Sequence, residues 1–359
     1  MDIKDAQSAA IGLLKTLITI PSYSREEKEL ADYLQIYIES LGYSTGRVEN
    51  NIWIIAPDFD SSKPTLLLNS HIDTVKPTAG WERNPHAPNL EDGRLYGLGS
   101  NDAGASLVSL LYVFFLLAQK SQPYNLIFAA SAEEETSGKN GMELLLKELP
   151  QLDFAVVGEP TGMQMAIAEK GLMVVDCISH GKSGHAARNE GVNAIYSALK
   201  DVEWIQNTEL PMVSDFLGPV KMSVTMIHAG TQHNVVPDEC SFVIDVRTNE
   251  HYSNQQVFEI LEQNLSSEIK ARSFRLTSSG VTTEESIVKR GIALGLNYYG
   301  SPTLSDQAFL HFPSIKIGPG DSSRSHTADE YVGIEEIEKG IEIYFELLDG
   351  LEIPHYKRG

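Results

Sequence analysis

The chain has 359 residues, 42% hydrophobic and 21% charged, with a formal net charge of −21. That length supports two domains with separate cores, in an ordinary globular composition. So acidic a chain is a poor partner for nucleic acid or an anionic membrane, and neither is expected as a ligand.

The N-terminal segment reads as an amphipathic helix, with Ala9, Leu13, Leu14, Leu17 and Ile18 on one side. It lacks the basic start and continuous apolar core of a signal peptide. Helix is expected from about Ile3 to Leu41, broken at Pro21-Ser22-Tyr23-Ser24. After the break comes an N-cap, with the acids of Arg25-Glu26-Glu27 in the first turn. Strands follow near Asn51–Ala56 and Thr65–Asn69, then a buried helix over Ala103–Lys120. The apolar run inside it, Ala105 to Ala118, is too short to span a bilayer. Leu126–Ala130 reads as strand, Gly141–Glu148 as helix and Ala155–Val157 as strand. This alternation predicts an α/β domain, a mostly parallel sheet with helices on both faces.

The pattern changes near Met165. Ala166–Gly181 alternates as a strand, with Met173, Val175 and Cys177 on one side. A helix at Asn193–Ile205, strands at Val220–Ile227 and Ser241–Arg247, a helix at Gln255–Gln263 and a strand at Ile269–Leu276 complete the ferredoxin-like order. An inserted α+β domain over 166–281 is therefore expected, between the two parts, 1–165 and 282–359, of the first domain. That domain resumes with a helix near Glu284–Leu296, a strand at Ile315–Ile317 and a helix at Gly333–Leu348. The cysteines, Cys177 and Cys240, lie far apart in strand-like runs, as buried thiols of a reducing compartment do. A cytoplasmic protein is expected.

Several acids and imidazoles stand where these strands stop. His71 and Asp73 end the Leu66-Leu67-Leu68 strand, and Glu133-Glu134-Glu135 follows Leu126–Ala132. Glu159 sits between Gly158 and Pro160, His326 follows Gly318-Pro319-Gly320, and Asp102 ends the turn Gly97-Leu98-Gly99-Ser100-Asn101. Ligands of open α/β sheets bind beyond the carboxyl ends of the strands. Carboxylates and imidazoles gathered there, without a matching run of lysines, point to a cation site. A bound cation would relieve repulsion within the triplet and leave one glutamate free as a base. An imidazole is a good zinc ligand. Asp73, two residues on, is placed to brace its other nitrogen or to lie beneath the site. The chemistry these residues favour is metal-dependent hydrolysis.

As a set, these segments resemble the family of co-catalytic zinc aminoacylases and carboxypeptidases, over essentially the whole chain. The resemblance implies two zinc ions, which cobalt or manganese can replace. It implies that His71 and Glu159 hold one ion and Glu135 and His326 the other. Asp102 bridges them, often with a cis peptide to the next residue. Glu134 matches the catalytic base and Asp73 the acid that orients His71. Two segments depart from the family's usual pattern. Ala103-Gly104-Ala105 replaces Met-Lys-Gly, and Glu133-Glu134-Glu135 replaces Asp-Glu-Glu, without loss of a ligand or of the base.

In the inserted domain, Gly181-Lys182-Ser183-Gly184-His185 resembles the segment whose histidine reaches a partner subunit's site and stabilises the oxyanion. A homodimer through that domain is implied. Asn234 resembles a residue lining the site, Arg247 one that binds a substrate carboxylate, and Gly320 belongs with the substrate-binding residues. Ala168-Glu169-Lys170-Gly171, Leu304-Ser305-Asp306 and Gly318-Pro319-Gly320 resemble amino-acid deacylases most. They favour a small N-acylated amino acid, first N-acetylornithine in arginine biosynthesis. A succinylated ornithine or diaminopimelate comes next, its second carboxylate met by Lys182, Arg188 or Arg324. A dipeptidase or carboxypeptidase follows. A non-enzymatic binding member of the fold comes last, because base and ligands are all present.

Overall fold

The computed structural model describes residues 1–188 and 190–356; residues 357–359 of the expected 282–359 segment lie outside the described residues. The chain forms two compact units. The first comprises Met1–Ile167, Val281–Tyr299 and the chain from Ser305 onward; the second comprises Ala168–Gly280 and Gly300–Leu304. No sequence signal announced that short return segment.

Among the described residues, seven strands of the nine-stranded main sheet run in the order Thr45–Val48, Asn51–Ile55, Asn125–Ser131, Thr65–His71, Phe154–Val157, Ser314–Lys316 and Met165–Glu169. The central pairings are parallel and those toward both edges antiparallel. Every residue of Thr65–His71 and Asn125–Ser131 is buried. This explains their unbroken apolar runs, since a strand covered on both faces has no solvent side to mark with polar residues. Helix Ala105–Leu117 crosses these strands and packs against helices Ile3–Ile18 and Ile334–Leu348. With the preceding π turn it gives eighteen residues, Ser100–Leu117, apolar and long enough to cross a membrane, against the shorter stretch expected. Here it is a core helix, buried along its whole length from Ala105.

Strand alternation sets the site. Ser70 points to the helix side, near Ser106 and Leu110. Asn69 and His71 therefore point to the other face, where Asn69 donates to Asp306 at 3.0 Å.

Several expectations need correction. The second helix is Lys28–Ser40; Glu27 occupies its cap position without a side-chain cap bond, and Ser24 instead donates to Asp73 at 2.6 Å. Gly141–Glu148 contracts to the helix Met142–Leu145, because the amides of Lys147 and Glu148 bond only three residues back. Glu284–Leu296 is helical only over Ser286–Ala293. The single strand Ala166–Gly181 is two, Met165–Glu169 and Met173–His180. The chain turns at Gly171, where a Cβ would lie 2.4 Å from Thr248 Oγ1 and 2.6 Å from the Ser278 nitrogen.

The second unit is a four-stranded antiparallel sheet in the order Lys221–Ala229, Glu239–Arg247, Met173–His180, Glu268–Ala271. Numbered along the chain this is 2-3-1-4, the ferredoxin-like arrangement. Met173–His180 alternates buried and half-exposed residues. Its inner side packs Val175 and Cys177 with Phe242, Ile244, Ala198, Val257 and Leu261. Both cysteines are free and buried. The helices start where polar caps take a backbone N–H: Asn193 from Ile195, and Ser253 in a capping box with Gln256. The last strand stops at Ala271, five residues before the expected end.

Candidate metal centre

His71 ends a central strand with only 2% of its surface exposed. Its Nδ1 donates to the Asp73 carbonyl oxygen at 2.9 Å, and the Asp73 carboxylate is farther away, at 3.4 Å. The ring is thus braced by the main chain of Asp73 more than by its side chain. This bond leaves the Nε2 lone pair directed into the site. Nε2 lies 3.2 Å from Asp102 Oδ1 and 3.8 Å from Glu159 Oε1. On the opposite side His326 Nε2 stands 2.8 Å from Glu135 Oε2 and 3.6 Å from Asp102 Oδ2. Asp102 therefore faces both imidazoles, one with each oxygen.

The sequence folds this way for local reasons. Gly99 turns with φ at +72°, a region in which L side chains are disfavoured. The peptide from Asp102 to Ala103 is cis, as the resemblance implied. The glutamate triplet leaves its strand on four successive amides, each held by a side chain. Ala132 N–H donates to Asn51 at 2.9 Å and Glu133 N–H to Glu27 at 3.2 Å. The Glu134 and Glu135 amides donate to the two oxygens of Asp73 at 3.0 and 3.1 Å. Glu133 turns away, buried, and accepts from Asn140 at 2.9 Å. Only Glu134 and Glu135 enter the site.

Ligand atoms of His71, Glu134 and Glu159 lie within 4.8 Å of one another, as do those of His71, Asp102 and Glu135. This is a pool of acceptors short of positive charge. Burial, followed by Asp102, pushes the Glu159 carboxyl up to about 8, against the pull of His71. Burial also holds Glu134 well above the usual carboxylate range, with Glu159, Asp306 and Glu135 adding to it. The hydrogen bond to Glu135 raises His326 to about 9. Divalent cations meet that demand without protons, and the mixed imidazole and carboxylate donors suit zinc. The residues present fit two metal ions.

Sequence reasoning missed the groups behind these. Glu330, 2% exposed, accepts the backbone N–H of Gly99 at 3.0 Å, of Asn101 at 2.8 Å and of Asp102 at 2.9 Å. Burial and Asp102 push its carboxyl up to about 8, against those three bonds. Asp306, quoted only as part of a motif, accepts from Asn69 and from Ser131 at 3.0 and 2.5 Å. An acid beside Asp329 before a short strand, or one opening a single helical turn as Asp306 does, carries no sequence signal that separates it from a solvated one.

Gly320 has φ +95°, and a Cβ there would lie 2.4 Å from Asn101 Oδ1; its carbonyl accepts from Gly162 at 2.7 Å. Arg324 is engaged, bonded through two nitrogens to Glu336 at 2.7 and 3.1 Å and lying over the Tyr331 ring.

The second unit carries the remaining residues. Exposed His185 lies in a two-residue strand paired with Val235–Val236, and the next amide, Ala186, donates to the Asn234 carbonyl at 3.0 Å. Arg247 spans Asp245 on its own strand at 2.8 and 3.1 Å. Lys182 is exposed, and Arg188 lies 3.9 Å from Glu190.

An α/β unit with acids and imidazoles gathered at its strand ends, followed in sequence by a ferredoxin-like unit, defines a metal-dependent amide hydrolase. Residues 67–350 match the model of peptidase family M20/M25/M40, and the chain belongs to that family. It is 26% identical over 391 residues to a succinyl-diaminopimelate desuccinylase of Verminephrobacter eiseniae, covering 95% of this chain and 96% of that protein. A peptidase M20 domain-containing protein of Schizosaccharomyces pombe is 27% identical, over 93% of this chain and 82% of that one. Among solved structures, aminopeptidase PepT of Bacillus cereus superposes with a TM-score of 0.76 at 20% identity, covering 95% and 98%. A dinuclear metal binding peptidase of Bacillus subtilis gives 0.71 at 17% identity, covering 96% and 98%.

Proposed function

We propose that the chain hydrolyses the amide of an N-acylated amino acid, with a succinylated diamino acid of the diaminopimelate type as its preferred substrate. The observation that carries the reaction is the convergence of Glu134 with His71 and Glu159, its ligand oxygen within 4.8 Å of theirs. His71 and Glu159 would hold one zinc ion, Glu135 and His326 the other, with Asp102 between them. When bound, the ions would polarise the amide carbonyl and lower the pKa of the attacking water.

The protein's own groups do the rest. Glu134 takes a proton from that water and returns it to the leaving nitrogen, a task suited to a carboxyl whose burial has raised its pKa. Asp73 keeps Glu134 and Glu135 in place through their amides. His185, from a partner subunit, donates to the developing oxyanion, and Asn234 and Arg247 bind the substrate's polar ends. The products are a carboxylate and a free amine.

The succinyl reading takes precedence over N-acetylornithine because several relatives bear the desuccinylase name. With Arg324 engaged by Glu336 and Arg188 3.9 Å from Glu190, exposed Lys182 is the first of the three expected cations for a second carboxylate. A release assay on N-succinyl-diaminopimelate, N-succinylornithine, N-acetylornithine and a dipeptide tests the assignment. Turnover of the first at least tenfold above the others is expected; preference for N-acetylornithine would reverse the order, and preference for the dipeptide would make the chain a peptidase.

Dimerisation through the second unit belongs to the same reading. Strand Lys221–Ala229 is an open edge, and Tyr196, Leu199, Met226 and Ile227 are exposed beside it or on it. Open edges tend to pair, and a two-fold axis closes them. The two free, buried cysteines, Cys177 and Cys240, accord with a reducing compartment such as the cytoplasm.

A further inference from the structure

We propose that Glu330 is a positioning residue of the metal centre, fixing the turn that carries Asp102 to the segment that carries His326. This inference rests on the two-metal reading above. The placement begins with a small antiparallel sheet, in which Tyr331 pairs with Tyr96. The pairing brings the chain before Tyr331 alongside the chain after Tyr96, and the Gly97 amide donates to the Glu330 carbonyl at 3.0 Å. The side chain continues the contact. Oε2 accepts from Gly99, and Oε1 from both Asn101 and Asp102.

Two consequences follow. Glu330 stands four residues after His326, so one short segment delivers a candidate ligand and also grips the turn of the candidate bridging ligand. A carboxylate is also the one side chain that can accept on both of its terminal atoms from donors on either side of this turn. Glutamine has the same shape but would aim an NH2 group at an N–H. Burying a carboxylate beside the charge of Asp102 is costly, and a turn needing stability alone is served more cheaply by neutral acceptors. The site benefits because groups that orient metal ligands typically govern about 10–100-fold of metal affinity.

The test compares wild type, Glu330→Gln, Glu330→Asp and the neighbour control Asp329→Asn. Asp329 accepts from the Glu82 and Arg83 amides, in a different loop. Each metal-free protein is melted and then titrated with Co2+ while its visible spectrum is followed. Glu330→Gln is expected to lose about 10–100-fold in Co2+ affinity with altered visible bands, Glu330→Asp to lose less, and Asp329→Asn to match wild type. Wild-type affinity and spectrum in Glu330→Gln would overturn the proposal, whatever its melting temperature. If Glu330→Gln does not fold, Glu330→Asp decides by the same criterion. If neither folds, Glu330 is a folding residue and the proposal falls. Failure of wild type to take up two Co2+ would instead overturn the two-metal reading.

Discussion

Asp73 holds Glu134 and Glu135 by their main chains, one carboxylate oxygen to each amide, at 3.0 and 3.1 Å. The same residue offers its carbonyl oxygen to His71 Nδ1 at 2.9 Å. One buried aspartate therefore sets the ring orientation of one candidate ligand and the backbone of the candidate base and its neighbour. The side chains of Glu134 and Glu135 are left free for chemistry, so each can be replaced without loosening the loop.

That separation gives the first prediction. Glu134→Gln is expected to keep fold and metal content but to lose at least about 10²-fold in kcat, the usual worth of a positioned base. Glu135→Gln is expected to weaken metal uptake instead, because its carboxylate contacts His326. Elemental analysis alongside steady-state kinetics separates the two. Equal loss of metal in both variants would remove Glu134 from its role.

Metal uptake should release protons. The bond to Glu135 places His326 at about 9, and burial places Glu159 at about 8. Both groups therefore carry a proton at pH 7 in the metal-free protein, and cations must displace it. Affinity for Zn2+ is expected to rise from pH 6 to 9 and then level off as these protons leave. Calorimetry in buffers of different ionisation enthalpy reads the protons released per metal. No release at pH 7 would contradict the placement of these groups.

Asp306 gives a stability prediction of definite sign. Burial raises it to about 6, while Ser131 and Asn69 oppose the shift. Its Oδ1 and the Oδ1 of Asn69 are both buried without a partner among the described residues. A folded-state pKa above the unfolded value of 3.8 means that ionisation opposes folding. The cost is absent below the unfolded pKa, grows as pH rises and is complete above the folded one. Asp306→Asn removes the charge and supplies an N–H donor to that neighbourhood. The metal-free variant is expected to be stabilised by about 1 kcal/mol at pH 8, with the gain shrinking toward pH 4. Thermal melts at the two pH values check it, and destabilisation at pH 8 would show that both Asp306 oxygens are needed.

Mixed dimers test His185. Chains carrying Glu134→Gln keep the histidine, and chains carrying His185→Ala keep the base. Each homodimer is expected to be nearly inactive, since loss of one oxyanion donor typically costs about 10²–10³ in rate. Confirmed mixed dimers are expected to recover part of the activity, because one site then has its own Glu134 and borrows His185. No recovery would place the histidine within its own chain or outside catalysis.

Much of this protein is legible in its sequence because the relevant signals are local. Unbroken apolar runs such as Leu66–Leu68 and Leu126–Ala130 mark strands covered on both faces, and the period-two burial of Met173–His180 marks a sheet with one face on a core. The groups at the strand ends, His71, Glu134, Glu135 and Glu159, stand out because polar or charged residues follow closely on apolar chain, whereas His326 lies in a polar loop beyond its strand and is assigned only through the resemblance. Tertiary structure alone decided what lies behind them. Glu330 reaches the Asp102 turn through a strand pairing between residues more than two hundred positions apart, and Asp306 reaches Asn69 across a similar separation. Glu27, Asn51 and Asp73 converge on four successive amides only when the helix, the strand Asn51–Ile55 and the central strand are assembled. A buried acceptor is defined by the donors that face it: those of Glu330 are main-chain N–H groups, which every residue but proline carries and no sequence pattern distinguishes, and those of Asp306 are the side chains of Asn69 and Ser131, brought up by strands far away in sequence.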